Sequence, residues 1–176
     1  MTTSPADNQT TLAPPEGMFR ELLFIHTKLR RDLQRVRQLA DDVRAGGPVE
    51  PVLAGIRELE TNSPLWRLKY GCMYYCRFVH LHHTIEDAAL FPMVRKHAPG
   101  LNRVIDQLEE DHLVVHHITE RIAALAGVLE AEETDARREE LVAALGELED
   151  HLLSHLDFEE QSLGPVLSQW HRWPVE

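Results

Sequence analysis

The sequence predicts an all-α protein, an up-down-up-down four-helix bundle, and three observations carry that prediction. Apolar residues recur at helical spacing over four long segments, Pro and Gly mark most of the breaks between them, and no stretch shows the strict alternation of a half-buried strand. Four amphipathic helices joined by mostly short loops bury their stripes against one another in such a bundle. At 176 residues the chain is one domain's worth, enough for a sizeable core.

In chain order, residues 1–15 are rich in Thr, Ser, Pro and Asn and are expected to form a disordered tail. They have neither the basic start nor the apolar stretch of a secretory signal. The bundle is expected over 16–169. Phe19, Leu22, Leu29, Leu33, Val36 and Val43 mark a first helix from Met18 to about Ala45, stopped by Gly46-Gly47-Pro48. A shorter helical piece over about 51–59 leads to Asn62-Ser63-Pro64, with Ser63 as a cap and Pro64 at the first helical position. The second long helix runs from about Leu65 to His97, before Pro99-Gly100, and the third from Leu101 to about Ala131. Asp135 is a plausible cap for the fourth, which extends to about Ser168 with Gly164-Pro165 as the place for a bend. Residues 170–176 are expected to be a C-terminal tail whose Trp170 and Trp173 pack on the bundle or on a partner.

Composition narrows the functional classes. The net charge of −11 argues against nucleic acid and against acidic membrane surfaces, both of which need clustered Lys and Arg, and suits a protein that binds cations. No run of about 18 apolar residues is present, so no membrane span is expected. Cys72 and Cys76, the only two cysteines, are read as buried reduced thiols, and a cytoplasmic address follows by default. The 11 histidines are an excess whose meaning depends on position.

Those positions fall inside the apolar seams. Helix one reads Phe19, Leu22, His26, Leu29, Leu33, Val36, and helix two reads Leu68, Cys72, Tyr75, Val79, His82, Glu86, Ala89. Helix three gives Ile105, Leu108, His112, Val115 or His116, Thr119, Ile122, and helix four gives Leu141, Leu145, Leu148, Leu152, His155, Glu159, Leu163. An ionisable residue in such a seam costs several kcal/mol, roughly, unless it is paired or ligates a metal. Four seams interrupted together call for one cause.

Counting places the interruptions at one height. His82 lies about 16 residues before the turn near Ala98, and the midpoint of His112 and His116 about 16 after it, so both lie about 24 Å from that end. The same count around Glu133 brings His155 to that layer; the first connection is too long for the test on His26. His82 with Glu86, His112 with His116, and His155 with Glu159 are i,i+4 pairs that share a face. Imidazoles with carboxylates suit iron, manganese or zinc. Five imidazoles and two carboxylates on four helices suffice for two metal ions and an open position for a small ligand.

Four stretches resemble the hemerythrin, or HHE cation-binding, family: FIHTKLRRDL from Phe24, VHLHHTIEDAALFP from Val79, EDHLVVH from Glu110 and HLLSHLDFEEQSLGP from His151. The resemblance runs from Met18 to Leu167. It implies two iron ions in a non-haem diiron centre, oxo- and carboxylate-bridged, with His26, His82, His112, His116 and His155 as imidazole ligands and Glu86 as one bridge. For the second bridge the family offers two spacings, Glu159 or Glu160; Glu159 is preferred because it lies only about 40° around the helix from His155, against about 140° for Glu160. The implied ligand is small (O2, NO or H2O2), and the implied roles are an oxygen binder, a diiron oxidoreductase that degrades peroxide or nitric oxide, or a redox sensor acting through a partner. Iron–sulfur repair is a further family role, made less apt by the short N-terminal tail.

The remaining candidates have plainer readings. His80, His83, His97, His151 and His171 lie off the seam or near helix ends and are read as surface residues, and Asp87 as solvated. His117 follows His116 directly, so a small rotation of the helix exchanges them. Tyr75, two turns before His82, is either a core residue with its phenol hydrogen-bonded to a neighbour or a redox-active group near the metals.

Overall fold

The computed structural model describes residues 17–44, 64–129 and 134–172. The described residues form α1 (Gly17–Arg44), α2 (Pro64–Ile85), α3 (Phe91–His97), α4 (Asn102–Leu129) and α5 (Asp135–Leu167), and no strand occurs among them. The tail at 1–15, the helical piece at 51–59, the Ser63 cap and Trp173 lie outside the described residues.

The second long helix of the sequence reading is α2 and α3 joined through a π-helical turn, Glu86–Leu90, in which the Phe91 N–H bonds to the Glu86 carbonyl. Pro92 has no N–H to give to the carbonyl four residues back and its ring crowds that carbonyl, so a widened turn ahead of it relieves the clash. The wider turn also shifts the phase by one residue: Leu90 is buried where Ala89 was expected, and Ala89 is exposed. At α5 the cap is Thr134 rather than Asp135. The Thr134 hydroxyl accepts the Arg137 N–H at 3.3 Å, and Asp135 instead occupies the first turn, where its charge complements the helix dipole.

α1 packs on α2 and α5, and α4 packs on the same two, which closes a four-sided ring. Chain direction alternates around it. The start of α1 meets the end of α5, where the Met18 N–H bonds to the Trp170 carbonyl at 2.9 Å and the Phe19 ring lies against buried Gly164. Trp170 packs on this end of the bundle and edges against His97. α5 carries Pro165 in its last turns and continues to Leu167.

The core is split. A larger apolar cluster holds Leu29, Leu33, Tyr75, Val79, Val115, Ile122, Leu148 and Leu152; a smaller one at the other end holds Leu22, Leu90, Phe91, Val94, Ile105, Leu108 and Leu163. On every long helix the chain passes from one cluster to the other across ionisable residues. His26 stands between Leu22 and Leu29, His82 to Glu86 between Val79 and Leu90, His112 between Leu108 and Val115, and His155 to Glu159 between Leu152 and Leu163.

Candidate metal centre

Seven side chains fill this layer: His26 from α1, His82, His83 and Glu86 from α2 and its π turn, His112 from α4, and His155 and Glu159 from α5. None is more than 8% exposed. They form two groups. In one, a donor atom from each of His26, His82, Glu86 and Glu159 lies within 4.8 Å of the others; in the second, His83, His112 and His155 meet the same distance.

The two carboxylates link the groups. Glu86 places Oε1 3.2 Å from His82 Nε2 and Oε2 3.5 Å from His112 Nε2. Glu159 Oε2 is 3.2 Å from His26 Nε2 and 3.9 Å from His155 Nε2. Yet both oxygens of each glutamate, and Nε2 of His26, His82 and His83, are buried without a hydrogen-bond partner of good geometry. Buried polar atoms are almost always satisfied, so a concentration of lone pairs facing one another fits a donor set for cations. Imidazole nitrogen and carboxylate oxygen suit a divalent transition metal such as iron, manganese or zinc.

Electrostatics agree. Burial, foremost, pushes His82 down to about 4 and His112 to about 3, and holds His83 far below the ordinary imidazole value. These rings are neutral near pH 7 and keep the lone pair a metal needs. Burial also drives Glu86 well above the usual carboxylate range, with Glu159 beside it adding to the effect. For Glu159 burial works in the same direction, but the hydrogen bond and charge of His26 outweigh it and hold the group low. Bound cations would remove the need for a proton between the two carboxylates.

Behind the rings stand groups that fix their orientation. His26 Nδ1 lies 2.8 Å from Glu160 Oε1, which also accepts from Arg30 at 2.6 Å, and Arg30 reaches Asp157 at 2.7 Å. His112 Nδ1 lies 2.7 Å from Asp87 Oδ1, whereas His155 Nδ1, 3.8 Å from Asp111 Oδ2, is too far away for a hydrogen bond. A ring held at Nδ1 by a carboxylate presents Nε2 inward with raised basicity, as supporting groups around metal sites do.

Of the eight residues singled out in the sequence, the structure brings His26, His82, Glu86, His112, His155 and Glu159 together. Glu160 stands outside them, bonded to the far nitrogen of His26. His116 is not in either group: its side chain is 37% exposed, with Nε2 3.3 Å from Glu120 and its ring 4.8 Å from that of His80. Val115 takes the seam position that was left open between the two. His83, expected at the surface, is 4% exposed and stacks on His112 with ring centres 3.9 Å apart. The reason is the width of the buried stripe along α2 and the π turn, which includes Cys76, His83 and Leu90 alongside Tyr75, Val79, His82 and Glu86. Cys76 and Leu90, seven residues either side of His83, carried that signal. Asp87 is half exposed, as a solvated residue would be, but it is committed to His112. The Tyr75 hydroxyl donates to the Leu29 carbonyl at 3.2 Å, and the ring packs in the larger apolar cluster.

Fold and site together define a helical-bundle protein with a buried layer of histidine and carboxylate side chains fit to hold cations. The sequence profile of the hemerythrin HHE cation binding domain matches residues 17–167, and the chain belongs to that family. No curated protein and no solved structure matches the chain. Among the described residues, no helix is long and apolar enough to cross a membrane.

Proposed function

We propose that this protein holds two iron ions in the polar layer and binds a small ligand there: dioxygen, nitric oxide or hydrogen peroxide. His26 and His82 would hold one ion and His83, His112 and His155 the other, with Glu86 and Glu159 shared between them. One observation carries this reading. Two buried glutamates, each within 4 Å of imidazoles from both groups, have no well-aligned hydrogen-bond partner for any of their four oxygens. Iron bound there would supply a change of oxidation state and an open position for the ligand.

The chain's own residues do the rest. Glu160, with Arg30 behind it, aims His26; Asp87 aims His112. The two apolar clusters above and below the layer exclude water from it. Free, buried Cys72 and Cys76 fit a reducing compartment such as the cytoplasm. The test is metal analysis of protein purified without chelators, combined with absorption spectra under air and after peroxide. About two irons per chain and a ligand-dependent near-ultraviolet band are expected. Zinc alone, or no metal, defeats the proposal.

A second reading has an observation of its own. A cavity touches the layer at His83 and His112, which suits a diiron oxidoreductase that must exchange substrate, either peroxide or nitric oxide. Turnover by iron-loaded protein that disappears in His82→Ala supports it, and absence of turnover on both substrates removes it.

A further inference from the structure

Eight large apolar side chains stand exposed among the described residues, and four of them share one face; the other four are divided between α4 and α5. Tyr74, Leu81 and Ile85, 63%, 56% and 52% exposed, follow one another along the outside of α2, with half-buried Phe78 among them. Their spacing of four, three and four residues is the heptad stripe by which one helix packs on another. Neither α1 nor α4, the two neighbours of α2, covers it. Phe24, 71% exposed, lies beside the stripe on α1.

Contacts between α1 and α2 fix their relative height. The Tyr75 hydroxyl bonds to the Leu29 carbonyl, Lys28 Nζ lies 4.2 Å from the centre of the Phe78 ring, and the His26 and His82 rings are 5.1 Å apart. The helices are antiparallel, so the same register brings Phe24 level with His82 and Glu21 level with Ile85. Glu21 is exposed and Lys28 half-buried, one and the other side of Phe24 on the outward face of α1. A two-fold axis laid across both helices at the height of Phe24 and Leu81 therefore makes the face complementary to itself. Phe24 and Leu81 then meet their own counterparts, Phe78 meets Ile85, Tyr74 meets the small exposed Ala88, and Lys28 of each copy meets Glu21 of the other. The four exposed side chains offer together about 400 Å2 of apolar surface, close to the apolar share of a standard interface of about 800 Å2 per partner.

We infer that a second copy of this chain docks on the α1–α2 face, forming a two-fold dimer held by Phe24 and the stripe from Tyr74 to Ile85 and set in register by two Lys28–Glu21 ion pairs. A net charge of −11 does not suit an anionic membrane surface as the occupant. Opposite charges placed about equally far on either side of one height match the chain to itself. The axis passes at the height of His26 and His82, so the two polar layers stand level with each other across the interface. The dimer does not depend on which metal the layer holds, or on whether it holds any.

Sedimentation velocity on the full chain decides it, with circular dichroism confirming the fold of each variant. A mass close to twice 20.2 kDa is expected for the wild type at about 100 μM, well above the micromolar dissociation constants at the weak end for this area. A wild-type chain that stays at 20.2 kDa there overturns the proposal and leaves the face to a different protein. Leu81→Glu, at an exposed position on the axis, sets two like charges against each other and is expected to weaken the dimer by about 100-fold or more. A dimer that survives Leu81→Glu unchanged overturns the choice of face. Glu21→Lys and Lys28→Glu, each of which opposes like charges twice, are expected to weaken it about tenfold. The double variant Glu21→Lys with Lys28→Glu restores both pairs in reverse and is expected to associate about tenfold more tightly than either single variant. A folding defect does not produce such recovery. A double variant weaker than both single ones overturns the two-fold register.

Discussion

The two sides of the polar layer use the same residue types to different ends. On the α1–α5 side, His26 is gripped by Glu159 and Glu160, and Arg30 and Asp157 complete a chain of charges out to solvent. On the α2–α4 side, His83 lies flat on His112, a single carboxylate, Asp87, stands behind, and the next thing outward is a cavity. One side is tied down by charge-assisted hydrogen bonds, which fix geometry; the other is packed through ring faces and leaves room. On the proposed function, a site that holds ions firmly and still admits a ligand would need both. The contrast makes each side separately breakable.

The largest effect is expected where the sides meet. Glu159 touches both groups and is wholly buried, so Glu159→Ala removes a donor atom from the reach of His26 and of His155 alike. Loss of even a supporting residue costs about 10- to 100-fold in metal affinity, and loss of a shared inner carboxylate should exceed about 100-fold. Glu159→Gln keeps the shape and serves as the companion variant. Elemental analysis after dialysis checks both; full metal content in Glu159→Gln would sink the idea of a shared carboxylate.

Much of this layer was legible in the sequence, and the misses have physical causes. Interruption of apolar seams at one height identified His82, Glu86, His112, His155 and Glu159 as residues that would meet, because depth along a helix is fixed by a constant rise per residue, whereas His26 followed only from the break in its own seam and from the family resemblance. Azimuth is less well fixed. A seam read as one residue wide assigns His83 to the surface, whereas packing against two neighbours buries a stripe wide enough to include it. The same uncertainty in phase left the seam open between Val115 and His116, and the family resemblance then favoured His116. The π turn at Glu86–Leu90 adds a local shift that a uniform period does not capture, hence Leu90 in place of Ala89. The tie between His112 and Asp87, which lie on facing helices, has no local signature at all.

A smaller effect should follow from loosening the tied side alone. Glu160→Gln keeps the shape but removes the charge that orients His26, so about a 10- to 100-fold fall in metal affinity is expected, with at least one ion retained at saturating metal. Chelator competition measures it. An affinity unchanged within about twofold would show that the charges around His26 are bystanders, as many half-exposed ion pairs are.

In metal-free protein the ring-packed side sets the response to pH. Unfolded, its histidines titrate near 6.5; folded, His82 and His112 are held at about 4 and about 3, and His83 and His155 are also lowered, burial being the largest cause in all four. Between those values the unfolded chain binds protons that the folded chain refuses, so stability falls as pH drops from about 6.5 toward 4. Glu86 and Asp87, both raised by burial first of all, pull the other way in this window, since their folded forms take up protons earlier. For His26 burial is opposed and outweighed by Glu159 and Glu160, and its contribution is lost only above 6.5. Four imidazoles outnumber the two carboxyls, so the net slope is downward with acid. Thermal melts of chelated protein at pH 7 and pH 4.5 should show the lower melting temperature at pH 4.5; a higher one would mean that the carboxyls dominate.

The smallest expected effect discriminates most finely between a donor and a bystander. His116→Ala should leave metal content where it is, because the ring already stands toward solvent beside Glu120 and contributes no atom to either group. His83→Ala, one turn inward on the facing helix, should cost the ion that His112 and His155 share. The two variants remove the same side chain from the same cavity, so crowding and net charge change alike and only donor position differs. Metal counting on the pair settles the assignment. Loss of an ion in His116→Ala with retention in His83→Ala would mean that α4 turns in the metal-bound protein, bringing the fourth residue after His112 inward and pushing His83 out.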